Sequence, residues 1–413
     1  MGKITHADIG TQLTKTEWEA NTTHLDSQDN TLEVSRSATL VVAASDASVK
    51  SKAGADYVCD NTADNVEIQA AIDLNTNGLI QLSEGTFNLS GNLSIGSPTR
   101  RGTVRGQGDG TILNVSAPDK RIDIYPQGRL QNLYIEVGND ASYTGNLIIV
   151  RGVNESAQDL ENFHKKTKIL DNLYLRNRGA FGGRAIWLLA AGTVAGVRNF
   201  IGLNTFGPLQ IMNFNYGVYL TADTAVAEPG KAFVNGNIFE SIIAHGVGYS
   251  VFLDKENNCA VHGNIFKSIG IQSGNSVKGI YCEGGGNQFQ NVFIWDWTAP
   301  NAVEFTATAN RNRIYGYLTP NVTDAGTKNI IKDNVGYITE NSGTATITAG
   351  QTSVAVTHGL AATPTRVILT PTTDTAGRRY WVSAKGATTF TITIDSTYTS
   401  DITFDWRAQI GEG

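Results

Sequence analysis

Asn237-Ile238-Phe239 returns as Asn264-Ile265-Phe266, Asn287-Gln288-Phe289 and Asn312-Arg313-Ile314, at spacings of 27, 23 and 25 residues. An amide followed two places later by an aromatic or aliphatic side chain, recurring at that interval, is the signature of stacked rungs. Each Asn at a turn can bond its equivalents above and below, while the neighbouring Phe or Ile fills the core. The Asn column is therefore read as a structural ladder without a catalytic role. A second column, Gly217-Val-Tyr-Leu220, Ser250-Val-Phe-Leu253, Gly279-Ile-Tyr-Cys282 and Ala302-Val-Glu-Phe305, advances by 33, 29 and 23 residues, the longer steps carrying loop inserted at one turn. Upstream, Asn132-Leu-Tyr134, Asn172-Leu-Tyr174 and Asn199-Phe-Ile201 are expected to continue the ladder less regularly.

Ahead of the rungs, Asp64-Asn-Val-Glu67-Ile-Gln-Ala-Ala-Ile-Asp-Leu74 has an Asp at the N-cap position and an acid three places on. Its apolar Ile68, Ala71 and Ile72 are at helical spacing. It predicts a short amphipathic helix. Gly78-Leu-Ile-Gln-Leu82, Thr86-Phe-Asn-Leu89 and Leu93-Ser-Ile95 follow as short strands between turn residues. A lone helix before many short strands fits a solenoid cap, because a first rung otherwise presents open backbone and core to water.

The runs Ala55 to Asp73, Gly85-Thr-Phe-Asn-Leu89 and Val104-Arg-Gly-Gln-Gly-Asp-Gly-Thr-Ile-Leu113 resemble the entry of the pectate-lyase-like single-stranded right-handed β-helix superfamily, which includes polysaccharide lyases, glycosidases and viral tailspikes. The resemblance covers roughly residues 38 to 115 and implies a fold rather than one activity. From about Val335 the rung period gives way to short alternating strands: 344–348, 352–356, 366–370, 380–382, 389–394 and 402–406. They predict an antiparallel β-sandwich. The stretch from Ala349 to Trp406 resembles the small terminal domains of phage tail proteins. That likeness implies a virion tail location, or an extracellular one after release, and assembly as a homotrimer. The expected organisation is an all-β chain: residues 1–36 as an extension contacting other tail proteins, 37–334 as a right-handed parallel β-helix with a capping helix, and 335–413 as the sandwich. A weakly helical segment around Thr14 to Leu25 lies in the extension.

Composition agrees with this reading and narrows function. With 44 Gly, 9 Pro, 2 Met and 17% charged residues in 413, the chain suits a turn-rich β body. A net charge of -6 gives no reason to expect nucleic acid, and the basic clusters Arg100-Arg101, His164 to Lys168 and Arg378-Arg379 are short. No apolar tract of about 18 residues calls for a membrane span. Met-Gly-Lys-Ile-Thr-His lacks the apolar core of a secretory signal, so synthesis in the cytoplasm is expected. Cys59, Cys259 and Cys282 form no CxxC pair. Buried thiols are expected, with a Cys259–Cys282 disulfide as the alternative should the two stack on adjacent rungs. No cofactor or metal is expected, since calcium through stacked Asp and Glu has no supporting spacing.

Function in a β-helix is sought in columns. Aligning the second column sets Asp254 over Glu283, a spacing of about 4.8 Å, which suits the acid and nucleophile of a retaining glycosidase. Trp295-Asp296-Trp297 adds a third acid between two indoles able to stack on sugar, with Glu256 and Tyr249 close in sequence to Asp254. Glu240 and Lys267 follow their Asn-x-Phe triplets at one column position, which predicts an ion pair between rungs; Lys267 is also a candidate sugar contact. A lyase would need a base beside neutralisers of a uronate carboxylate, for which Lys267, Arg184, His245 and His262 are the candidates. The Arg-x-Pro-x-x-Arg of pectate lyases and the paired Asp motifs of polygalacturonases are absent. Arg105-Gly-Gln-Gly-Asp-Gly110 lacks the Lys-Ser/Thr ending of a phosphate loop and is read as a turn between rungs. These readings predict a tail-type protein that binds, and hydrolyses, a polysaccharide. The alternatives are a lyase acting by elimination, a non-catalytic adhesin, and a structural virion component.

Overall fold

A computed structural model describes residues 39–75, 77–97, 100–138, 143–154, 168–179, 181–192, 198–224, 232–255, 259–272, 277–295, 302–317, 322–332 and 336–411. Residues 1–36, expected to form an extension with a helical segment, lie outside the described residues, as do Glu256, Asp296 and Trp297. Among the described residues the body is a coil of parallel strands, a 16-stranded first sheet, a 9-stranded second sheet and a 4-stranded third sheet, in which Val153–Asn154 alone pairs antiparallel, with Asn199–Gly202. One turn runs through Ile269–Gln272 of the first sheet and Lys278–Cys282 of the second, then a bridge at Gly285, and returns to the first as Gln288–Trp295. The coil is right-handed, the sense taken by crossovers between parallel strands of one sheet.

Both sequence columns hold residue by residue. Phe239, Phe266, Phe289 and Ile314 are consecutive partners in the first sheet. Val218, Val251, Ile280 and Val303 are consecutive partners in the second. The Phe206, Phe239, Phe266 and Phe289 rings stack face to face at 4.8, 4.6 and 5.1 Å inside the coil. Beside them the Asn ladder is longer than the triplets alone suggest, running Asn204, Asn237, Asn264, Asn287, Asn312 and Asn329, and is buried as far as Asn312. From Asn237 to Asn312 each amide nitrogen donates to the next Oδ1 and to a carbonyl of the preceding coil, as Asn264 does to Asn287 at 3.1 Å and Val234 at 3.0 Å.

The structure corrects four expectations. Asn132 and Asn172 are not part of this ladder: they sit at left-handed positions, φ 55 and 51°, and pair with each other. Asn199 belongs to the third sheet and bonds Asn154. Asp64 has no capping bond to its helix, Asn65–Leu74; its carboxylate accepts the backbone N–H groups of Asn61 and Asn88 and so ties the helix to the adjacent strand. Ile68, Ala71 and Ile72 are buried as expected and close the coil end. Arg105 to Gly110 is no turn but an irregular part of strand Gly102–Val115, where the register to the next strand slips on either side of Gly108. A side chain at Gly106 would stand 2.7 Å from the Leu133 Cβ, so the bulge needs glycine there. Glu240 pairs with Lys168 at 2.8 Å instead of with Lys267.

All three cysteines are buried and none forms a disulfide; Cys282 stacks between Leu253 and Phe305, not on Cys259. Parallel pairing ends at Ile330–Ile331. Beyond it, two antiparallel three-stranded sheets, made by 340–347, 402–409 and 366–371 and by 353–357, 389–394 and 380–385, enclose a second core around Ile392, Phe404 and Trp406.

Candidate functional site

Alternation dictates which side chains of the second sheet face outward. Ile186, Leu188, Val218, Leu220, Val251, Leu253, Ile280 and Cys282 point into the core and are fully buried. The residue between each such pair must face out. This makes one outward column of Trp187, Tyr219, Phe252, Tyr281 and Glu304. Beside it runs Leu189, Thr221, Asp254 and Glu283, and on the other flank Arg184, Tyr216, Tyr249 and Lys278. Asp254 and Glu283 occupy equivalent places on successive coils, since the Glu283 N–H bonds the Leu253 carbonyl at 2.9 Å.

The aromatic side chains form a continuous outer sheet of rings. Tyr216 stacks on Tyr249 at 5.0 Å and Phe252 on Tyr281 at 4.5 Å, with Tyr219 tilted against Phe252 at 5.0 Å. The Arg184 guanidinium lies 5.0, 5.2 and 4.7 Å from the Trp187, Tyr216 and Tyr219 centroids, a threefold cation–π contact, and donates to Asn146 Oδ1 at 3.0 Å. At the opposite end the Lys278 ammonium lies 5.0 Å from the Tyr281 ring and pairs with Glu304.

Each carboxylate is oriented by a tyrosine of this platform. The Tyr219 hydroxyl donates to Asp254 Oδ2. The Tyr281 hydroxyl donates to Glu283 Oε1 at 2.7 Å, and the Lys255 N–H donates to Oε2 at 3.2 Å. Burial first, then the bonded carboxylate, pushes the Tyr219 and Tyr281 hydroxyls well above the usual tyrosine range. They are donors at neutral pH and poor bases.

Not all the sequence-predicted residues share this surface. Tyr249 does, but Trp295 stands on the outer face of the first sheet, paired in register with Gln272 and packed against Phe293 at 5.0 Å. Lys267 is exposed at a turn of the first sheet, where its N–H bonds the Phe239 carbonyl. The lyase candidates are dispersed: His245 on the first sheet, His262 on the third, Arg184 on the second. The one grouping with metal-ligand spacing among the described residues is Cys59, Asp64 and Glu67 under the capping helix, where Asp64 already holds two backbone N–H groups.

Trp187, Tyr216, Tyr219, Phe252 and Tyr281 were not singled out by sequence. Their signal was present, because Tyr219, Phe252, Tyr281 and Glu304 are the third residue of each tetrad in the second column. That position alternates outward.

The fold and this face together define the class: a parallel β-helix bearing an outward acid and aromatic surface, with an antiparallel C-terminal unit. No protein-family profile matches the chain, and no curated protein does. Among solved structures it is similar to a tailspike protein, gp49, from Acinetobacter baumannii bacteriophage Fri1, described as a capsular polysaccharide depolymerase. The identity is 10%, over 90% of this chain and 86% of that one, with a TM-score of 0.34. Pseudomonas phage phi297 tailspike gp61 gives 13% identity, 86% and 61% coverage and a TM-score of 0.27. A tailspike mutant of E. coli bacteriophage HK620 gives 9%, 81% and 71%, and 0.33.

Proposed function

We propose that this chain is a tailspike-type glycan-recognition protein that binds a surface polysaccharide on the second sheet and hydrolyses it there. One observation carries the reading: two carboxylates on successive coils, each oriented by a tyrosine hydroxyl and bordered by a platform of rings. Coils about 4.8 Å apart set the pair near the separation of about 5–5.5 Å used by retaining glycosidases. In this scheme Asp254 protonates the glycosidic oxygen. Glu283 attacks the anomeric carbon, its second oxygen held by the Lys255 N–H, as the bond to the protonated glycosidic oxygen breaks and the leaving chain departs as an alcohol; water, deprotonated by Asp254, then displaces Glu283 and frees the reducing end. Tyr249 stacks on a flanking sugar. Asp296, Glu256 and Trp297 are further candidates for this chemistry or for sugar contact, while Lys267 and Trp295 would serve a glycan only on the first sheet. The dispersal of Lys267, His245, His262 and Arg184 weighs against elimination, as does the raised pKa of both tyrosines.

Incubating the full chain with a panel of bacterial polysaccharides, and reading reducing ends and ultraviolet absorbance, tests this. Asp254→Asn and Glu283→Gln are each expected to cut reducing-end release by about 10²–10⁴-fold. Full activity in both variants would remove the assignment. Retention of a glycan without release would favour an adhesin, and release of ultraviolet-absorbing ends a lyase. The proposal extends to assembly: a homotrimer packed through apolar side chains of the first sheet, with residues 1–36 contacting other tail proteins.

A further inference from the structure

The outer face of the first sheet carries a groove that the acid pair does not use. Its polar half, an open cavity of ≈ 680 Å³, is lined by Gln81, Arg105, Gln107, Gln131, Asn132 and Asp171 among others. Gln81, Arg105, Gln131 and Asp171 are consecutive register partners, so they form one outward column across successive coils. Asn172 also lines the adjoining cleft of ≈ 350 Å³, whose walls include Asp109, Tyr134, Tyr174 and Gln210. The two are therefore one trough, running along the coil axis from the strand of Gln81 to that of Gln210. Four coil steps make this about 19 Å.

The lining is chemically uniform in an unusual way. Gln81, Gln107, Gln131, Asn132, Asn172 and Gln210 are amides; Gln81 and Asn132 are committed to bonds within the protein, which leaves Gln107, Gln131 and Gln210 to donate and accept at the surface. Charge is nearly balanced, with Arg105 against Asp109 and Asp171, and Asp171 is itself paired with Lys168 at 3.3 Å. Arg105 donates to Gln81 Oε1 at 3.0 Å, which fixes the head of the column. In the cleft, Tyr134 and Tyr174 meet at 4.8 Å, with Ile112, Leu133, Leu173 and Pro208 as an apolar floor. The Tyr174 hydroxyl donates to Met212 Sδ, which fixes the ring, and with Tyr134 buried Tyr174 is the ring that presents a face. The glycine-rich bulge supplies Gly108 and Asp109 as the rim.

We infer that this trough is a second glycan-binding site, specific for a neutral oligosaccharide, with Tyr174 as its stacking platform and the amide side chains of Gln107, Gln131 and Gln210 reading hydroxyl groups. Amides that donate and accept match sugar hydroxyls, whereas a uronate polymer would call for unpaired cations. The inference shares with the hydrolytic reading only the class of ligand. It needs no catalysis.

The test is affinity gel electrophoresis of the full chain through gels containing dextran, galactomannan, xyloglucan or neutral O-antigen polysaccharides, with polygalacturonate and alginate as acidic counterparts. At least one neutral polymer should retard the wild type, and Tyr174→Ala should weaken its binding about tenfold or more. The surface double variant Gln131→Ala/Gln210→Ala should weaken it too, guarding against a folding defect in the first. Lys385→Ala, exposed on strand 380–385 of the C-terminal unit and outside both sites, should leave retardation unchanged. Retardation by acidic polymers only, by none, or undiminished in both groove variants would overturn the inference. Loss of reducing-end release in Asp254→Asn with intact groove binding separates the two sites. Normal release in Asp254→Asn and Glu283→Gln with groove-dependent retardation would sink the hydrolytic reading and leave this one standing.

Discussion

Asn264 is fully buried and carries the ladder in both directions. Its Oδ1 accepts the Asn237 N–H at 3.1 Å and the Asn237 amide at 3.0 Å, while its own N–H and amide reach Asn287 at 3.0 and 3.1 Å. Asn264→Ala would leave the Asn237 N–H and one of its amide hydrogens without an acceptor and away from water, and would remove the amide donor from Val234 and from Asn287 Oδ1, which keeps only the backbone N–H of residue 264. At about 1–3 kcal/mol for each orphaned group, with some relaxation, the expected loss is about 3–5 kcal/mol. It is read from the urea midpoint. Asn172→Gly should cost under about 0.5 kcal/mol, because Asn172 is exposed and its positive φ suits glycine. In the sequence both residues open the same Asn-x-aromatic triplet. Only the backbone conformation each adopts separates a ladder rung from a surface turn.

At the scale of elements, the coil end is closed by more than the amphipathic helix that the sequence announces. A five-residue helix, Val49–Ala53, lies ahead of it and buries no side chain, so it leaves no hydrophobic period to read. It is held instead by Glu84, which accepts the Ser48 N–H at 2.9 Å and the Ser51 hydroxyl at 2.9 Å. The backbone and hydroxyl donors of Ser48 and Ser51 bring the Glu84 carboxyl from its usual 4.5 to about 2. A depressed folded-state pKa gives stability that is present above the unfolded value and lost as the acid protonates in the fold. Wild type should therefore be more stable than Glu84→Gln above pH 4.5, and the difference should close as pH falls to about 2. Urea midpoints across that range check it. A constant difference would mean that the carboxylate charge is not what tethers this helix.

For the whole molecule, the first sheet leaves Ile243 and Phe293 exposed at 48% and 47%, in one outward column with Gly270 between them. Trp295 leans on this patch, its ring 3.7 Å from where a side chain on Gly270 would begin. Clustered aromatic and aliphatic side chains on an outer face are what a subunit contact buries. The proposed trimer predicts sedimentation equilibrium at three chain masses, with Ile243→Lys and Phe293→Lys shifting the chain toward monomer. A monomeric wild type would leave the patch without this role. This contact region lies toward the C-terminal coils and the amide trough toward the N-terminal ones, so one sheet would serve both uses.

The sequence by itself determined the coil. Apolar side chains that must stack every turn impose a period, and the Asn-x-Phe and second-column repeats recorded it down to the partner of each residue. It also placed Asp254 on Glu283, because a shared register follows from a shared position in the repeat. What only the tertiary structure decided is which faces meet. Trp295 and Asp254 lie on different sheets, and residues distant in sequence, such as Gln81 and Asn172, line one trough, since turn angles and inserted loops carry no period. Repetition fixes position along the axis, and only packing fixes direction around it.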